Sequence, residues 1–262
     1  MGGSVVLPQK ADLDLFNKLR DVDTRDPEGY ARHFWEAQKL VRQVPHSAVA
    51  RVAMAEILLG CGHRRAGLKE LATAEGLSRG EQPPVRHSLA MLFGWTGQAD
   101  KAVQVYKELL ADSGTRLLPG FAQNALRVAL LDGDVEFARN ISDLALQDGT
   151  EPSEEMVEFV RSSENEELFE VFHQHQKVVR DILSEYLTQT WVGPSVEEGQ
   201  QSVSFEYAII CPRSERRRLQ RKIFESLTDL YRALNKEPGL YIGKLVTVLS
   251  PMEPKPLGAI AA

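Results

Sequence analysis

Apolar side chains recur at three- and four-residue steps along most of this chain. That is the spacing of helices with one buried face. The first such stretch runs from Ala11 to Val22, with Leu13, Leu15, Phe16 and Leu19 in register. A second opens at Asp26-Pro27 and runs to about Val44, placing Tyr30, Phe34, Ala37, Leu40 and Val41 on one face. Asp can cap the free amides of a helix start, and Pro at the first helical position has no N–H to leave unpaired. From Ser47 onward the pattern breaks into pairs of helical length: Ser47 to Leu59 with Arg64 to Leu77, Pro84 to Trp95 with Ala99 to Leu110, and Pro119 to Leu131 with Asp134 to Leu146. A short helix is expected from Ser153 to Val160. A long one follows the acidic run Glu164 to Glu167 and ends near Leu187, carrying Leu168, Phe169, Phe172, Val179, Ile182, Leu183 and Tyr186.

The pattern changes after Gly193-Pro194. Thr188 to Val192 reads as a short strand, and Pro194 to Gln201 as a polar loop. Val203 to Ile210 alternates and then turns apolar, as a strand with a buried face does. Glu215 to Leu234 is helical, with Leu219, Ile223, Phe224, Leu227, Leu230, Tyr231 and Leu234 read as one side. Pro238-Gly239 reads as a turn, and Leu240 to Leu249 as a further strand. Two or three strands bury little surface by themselves, so this part must pack on the helices or pair with another copy. An open edge at Val203–Ile210 or Leu245–Leu249 would offer a place for homodimerisation or for strand addition.

The three central pairs share a register. A Gly stands five residues before a small residue each time: Gly62 with Gly67, Gly97 with Ala102, Gly133 with Ala138. The glycines lie 35 and 36 residues apart, a period that signals stacked helical hairpins. Gly suits a hairpin turn because helix ends often need a left-handed residue. A small residue one turn into the second helix lets the two helices approach closely. Pro84, Pro119 and Pro152 punctuate the ends of the units.

These residues resemble tetratricopeptide repeats, over about residues 47 to 152. Tyr106 stands where that family places an aromatic, and Ala55 and Ala90 where it places a small first-helix residue. The departures are Arg51, Arg86 and Ala122 at the family's Trp position, Ala125 one place early, and Ser142 in place of the aromatic. The expected fold is mainly α: a tetratricopeptide-like solenoid of antiparallel helix pairs over residues 11–187, with a small α+β module over 188–252. The first two helices and the long helix ending near Leu187 would then cap the two ends of the stack. An all-helical domain without a superhelix is the alternative.

The resemblance implies a concave groove lined by the first helices of the pairs. Its expected lining is Val52, Glu56, His87, Met91, Gln123 and Arg127, with Asn124 nearby. Arg127 and Asn124 are too few polar donors to clamp a terminal carboxylate. Val52, Met91 and His87 suit a neutral or amphipathic peptide, or a partner helix. The expected function is therefore a scaffold or adaptor that binds a protein, with the module dimerising or docking a second surface.

Charge and chemistry adjust this picture in a few places. The formal net charge of −6 argues against whole-chain affinity for polyanions. Yet Arg213, Arg216, Arg217, Arg218, Arg221 and Lys222 crowd the start of one helix, where positive charge opposes the helix dipole. Three readings follow: a solvated basic face, docking to the acidic 151–167 segment, or, as the alternative function, binding of nucleic acid or a phosphorylated ligand. Two distant cysteines, Cys61 and Cys211, form neither a disulfide framework nor a zinc cluster, so a reducing, cytoplasmic setting is expected. Cys211 beside Pro212 and the arginines invites comparison with an activated thiol, against a structural role. His173 and His175 stand two apart on a helix and point away from each other, so they cannot share one ion. They are expected to be exposed or capping. No phosphate loop, nucleophile elbow or zinc-protease motif occurs, so no catalytic residue, metal or cofactor is expected. The opening residues, Met1 to Pro8, do not read as a secretory leader.

Overall fold

A computed structural model of the chain describes residues 10–78, 82–111, 120–148, 153–162, 165–197 and 200–257. Pro119, Pro152 and the first nine residues lie outside the described residues. The described chain is mainly helical, with one small sheet near its C-terminus. Its contacts divide it within a helix, between Leu92 and Phe93. The residues up to Leu92 and a return segment from Glu253 form one unit, and Phe93 to Met252 form the other.

The first unit is built around α3 (Ala48–Gly60), of which every residue but Arg51 is buried. Ser47 starts it, accepting the Ala50 amide at 3.2 Å. The same hydroxyl donates to the buried Asp12 carboxylate at 2.8 Å, which ties α1 (Lys10–Arg20) to the start of α3. α2 (Pro27–Gln43) begins as its sequence demands, with Asp26 accepting the Glu28 amide at 3.0 Å and Pro27 first in the helix. α1, α2 and α4 (Arg64–Leu77) all pack on α3. Close approach of α2 requires Gly60: a Cβ there would lie 2.3 Å from the ring of the fully buried Tyr30. The return segment passes over the turn from α3 to α4. The Lys255 amide donates to the Cys61 carbonyl at 2.8 Å, and Nε2 of His63 lies 2.6 Å from the Lys255 carbonyl. α5 (Pro83–Trp95) carries the unit boundary.

The second unit begins with the last turn of α5 and continues through α6 (Ala99–Leu110), α7 (Phe121–Asp132), α8 (Val135–Asp148), α9 (Glu154–Arg161) and α10 (Glu166–Leu183). Tyr106 of α6 meets Phe121 of α7 edge to face at 5.2 Å between ring centres. α10 packs on the turn between α7 and α8. There Arg180 and Asp132 pair at 2.9 Å, both largely buried, and Nδ1 of His173 lies 2.8 Å from the Asp132 carbonyl. A file of rings, Phe159, Phe169, Phe172 and Phe205, joins α9, α10 and the sheet.

The sheet has the order β1-β2-β3. β1 (Leu187–Glu197) is antiparallel to β2 (Gln200–Ile209), and β3 (Leu245–Pro251) is parallel to β2. The parallel pair is joined by α11 (Arg213–Ala233) and α12 (Pro238–Lys244), because parallel strands need a long crossover. Along β2 the inward set Val203, Phe205, Tyr207 and Ile209 is buried, while Ser204 and Glu206 are half-exposed. The sheet thus lies on α10 through Phe205 against Phe172 and Tyr207 on Gln176. This α+β part belongs to the same unit as α6 to α10.

Several sequence expectations change here. Residues 194–197 and 200–201 are arms of a hairpin, not a loop, since β1 continues to Glu197 and pairs in unbroken register from Gln189. Val203–Ile210 is no open edge: β2 is the central strand, paired on both sides, and β3 is an edge. Leu240 to Lys244 is helical rather than extended, because Pro238 sets the first turn of α12. Phe224 is exposed, not part of the buried side of α11. Its buried row is Leu219, Ile223, Leu227 and Tyr231, four residues apart, and Phe224 lies one position off it.

The three glycine turns are the same object. Gly62, Gly97 and Gly133 have φ of 80°, 79° and 77°. In each, the following amide reaches back to the helix: His63 to the Leu58 carbonyl at 2.7 Å, Gln98 to Phe93 at 2.9 Å, Asp134 to Ala129 at 3.0 Å. The glycine amides themselves bond Leu59, Gly94 and Leu130. This pair of bonds around a left-handed residue is the Schellman motif. The small residues that follow, Gly67, Ala102 and Ala138, are all buried, and a Cβ at Gly67 would meet Leu59 Cγ at 2.6 Å.

Candidate functional site

The residues expected to line a groove fall in both units and have unlike surroundings. In the first unit, Val52 is buried inside the α3 core, and Glu56 and His87 are 5% and 8% exposed. Met91 is half-buried. Glu56 accepts a long hydrogen bond, 3.4 Å, from the Tyr30 hydroxyl. Burial pushes its carboxyl up to about 7, against the smaller pull of that bond and of Arg20. Burial brings His87 down to about 4, and Arg20 adds to the effect. Burial also lifts the Tyr30 phenol above the tyrosine range. In the second unit, Gln123, Asn124 and Arg127 of α7 are half-buried and each is engaged with neighbours. Gln123 and Arg127, four apart, share one face of α7.

A second polar cluster, which the apolar pattern of α10 hid, lies wholly inside the second unit. His175 and Gln176 are fully buried, so the expectation of an exposed or capping histidine fails for His175. Nδ1 of His175 is hydrogen-bonded to the Tyr231 hydroxyl, and Tyr231 stacks against Tyr241 at 5.0 Å between centres. The Tyr207 hydroxyl donates to the Gln176 side-chain carbonyl at 2.8 Å. Burial drives the His175 imidazole down to about 3, so it is neutral over the physiological range. Nε2 of His175 and Nε2 of Gln176 have no hydrogen-bond partner among the described residues. A tally of titratable residues in sequence could flag His175, but its partner Tyr231 is 56 positions away.

The basic stretch of α11 does not act as one patch. Arg218 is tied to Glu215 at 2.5 Å, and that bond holds the Glu215 carboxyl below the usual carboxylate range. Arg216 is half-buried, on the side facing Cys211. Arg213, Arg217, Arg221 and Lys222 are exposed, and their side chains make no hydrogen bond or ion pair among the described residues. With about 100° per residue, Arg213, Arg217 and Arg221 fall along one stripe and Lys222 lies well outside it. The exposed ring of Phe224 lies on the same stripe, at 55% exposure. The four-residue step of the buried row was the signal for it.

Of the acids in the 151–167 segment, Glu166 pairs with Arg139 at 2.6 Å, whereas Glu154, Glu158 and Glu167 are exposed and make no ion pair among the described residues. Glu151 and Glu164 lie outside the described residues. Cys211 is no activated thiol, since burial raises it more than Arg216 lowers it. Cys61 is buried and pushed up to about 12 by that burial. No group of three or more potential metal ligands occurs among the described residues.

No family model, curated protein or solved structure matches this chain. The residues themselves therefore carry the functional argument. No described helix is long and apolar enough to cross a membrane.

Proposed function

We propose that this chain is a protein-interaction scaffold, in which tetratricopeptide-like helical hairpins hold a peptide or a partner helix. The C-terminal α+β module serves it by docking a second surface or a second copy. The observation that carries this reading is the thrice-repeated Schellman turn, with the same two hydrogen bonds at Gly62, Gly97 and Gly133. Glycine turns of one kind at a 35- to 36-residue period are what stacked helical hairpins use, and such arrays present surfaces suited to extended ligands. Val52, Glu56 and His87, being buried, contribute packing. Accessible contacts come from Met91 in the first unit and, separately, from Gln123 and Arg127 in the second.

The test is affinity capture by the full chain from its own lysate, with captured proteins identified by mass spectrometry. It is run beside two variants, Met91→Glu and the pair Gln123→Glu with Arg127→Glu, whose folding is checked by circular dichroism. Capture of one partner that either variant loses, followed by direct binding of a peptide from that partner, supports the reading. No enrichment over bare resin, or a partner held equally by both folded variants, overturns it.

A further inference from the structure

The outer stripe of α11 brings together exposed cations, their regular spacing and an exposed aromatic ring. Arg213, Arg217 and Arg221 are exposed and unpaired among the described residues, so no acid neutralises them. Their four-residue spacing sets the guanidinium groups about 6 Å apart along the helix. The exposed Phe224 lies in the same stripe, within about 80° around the axis of all three, and Gln220 and Arg221 flank it one turn back. Positive charge in the first turn of a helix opposes the helix dipole, so Arg213 is held there at a cost to α11.

We propose that this stripe binds single-stranded nucleic acid, the arginines taking successive phosphates and the Phe224 ring stacking on a base. An evenly spaced row of cations beside an exposed ring matches a polymer that alternates anion and flat ring. Nonspecific recognition of single strands works in this way, with a basic track for the backbone and aromatic platforms for the bases. The same features fit an anionic membrane less well. A helix that lies in a membrane interface needs a broad apolar face, and Phe224 is the one large apolar side chain of α11 that is exposed. An acidic peptide would satisfy the arginines but leave the ring without a stacking partner. The overall charge of −6 confines attraction for a polyanion to this local stripe. Glu225 stands at the next four-residue step and closes the basic run, without an ion pair to Arg221 among the described residues.

The experiment measures fluorescence anisotropy of labelled 12-nucleotide oligouridylate and oligothymidylate with the full chain, across a salt series. Binding of either supports the proposal, and the comparison of the two shows whether the sugar matters. Each arginine that neutralises a phosphate contributes about −0.7 to the slope of log affinity against log salt. Arg217→Ala together with Arg221→Ala therefore reduces the slope by about 1.4. Phe224→Ala weakens binding about 5- to 100-fold, the range for loss of one stacked base, and leaves the slope unchanged. Lys39→Ala, an exposed cation of α2, changes neither. All the variants are at exposed positions, and circular dichroism checks that they fold. The proposal fails if neither oligonucleotide binds at about 50 mM salt. It fails equally if a duplex binds more tightly than the single strands, or if Phe224→Ala has no effect. Tighter binding to phosphatidylserine vesicles or polyglutamate than to the oligonucleotides also overturns it.

Discussion

Replacing Glu56 with Gln should stabilise the protein at alkaline pH and leave it unchanged at acid pH. Glu56 is 5% exposed, in the core helix of the first unit, with one long hydrogen bond from Tyr30. Burial holds its carboxyl at about 7 in the folded state, against an ordinary value of 4.5. The folded protein therefore binds a proton that the unfolded chain has released between these two values. Stability is complete below about pH 4.5, falls as pH rises toward 7, and stays lower above it. At about 1.4 kcal/mol for each pH unit of difference, the ionised carboxylate costs about 3 kcal/mol at pH 8.5. Gln keeps the shape and can still accept from Tyr30 but never ionises. Urea unfolding followed by circular dichroism should show the Gln variant about 3 kcal/mol more stable at pH 8.5, with the gap closing near pH 4.5. Hydrogen exchange within α3 would assign the change to the first unit. An equal gap at both pH values, or a variant less stable at pH 8.5, would refute the argument that a buried charge is being carried.

Three further outcomes follow from the same contacts. His175, held at about 3 by burial, makes the second unit lose stability as pH falls from about 6.5 toward 3, since only the unfolded chain takes up the proton there. His175→Phe should cost about 1–3 kcal/mol at pH 7, by leaving the Tyr231 hydroxyl unpaired, yet flatten the loss in acid, which unfolding curves at pH 7 and pH 4 would register. Arg180→Met, which strands the largely buried Asp132 carboxylate, should cost about 2–4 kcal/mol, and adding Asp132→Asn should recover part of it. Melting temperatures of the single and double variants measure the difference. Gly133→Ala should be more damaging than Gly97→Ala, because the new Cβ meets the backbone of His173 at 2.4 Å in one case and a movable Leu187 methyl at 2.6 Å in the other. Gly76→Ala, in a helix with nothing within 4 Å, should instead stabilise by about 0.5–1 kcal/mol. Thermal melts of the three variants would rank them.

The helices were legible because their apolar periods are long and their starts are chemically marked. Asp26 and Ser47 cap the amides that their sequences offered, and Ser153 does the same for Met156 at 3.3 Å. The sheet was less so. Hairpin arms with few apolar residues look like loop until a partner strand is known, and β1 lies beside β2 in a way that only pairing reveals. Leu240 to Leu249 is a single apolar run that the fold divides between α12 and β3, since Pro238 permits a helical turn that β-branched residues alone would not suggest. The candidate site residues divide along the same line. The exposed arginines of α11 were visible as a charge cluster, but the pairing of Arg218 with Glu215 and the exposure of Phe224 needed the helix face. His175 and Gln176 were invisible as a polar core because their partners, Tyr231 and Tyr207, lie far along the chain.

The three glycine turns and their surroundings obey different rules. Gly62, Gly97 and Gly133 share φ values within 3° and the same two hydrogen bonds, so a 35- to 36-residue period in sequence is a period in local turn geometry. What each turn touches is not periodic. A Cβ at Gly62 would meet Pro254 of the return segment, one at Gly97 would meet Leu187 at the start of β1, and one at Gly133 would meet His173 of α10. All three neighbours come from the part of the chain after the hairpins, where the sequence has no repeat. A left-handed turn alone requires glycine at each position, and that requirement is what the sequence displays. The later packing adds a second demand for the absence of a side chain, with a different partner each time. The periodic signal therefore specifies how each hairpin closes, while the aperiodic tail specifies what covers the turns, which is why the first could be read from one sequence and the second could not.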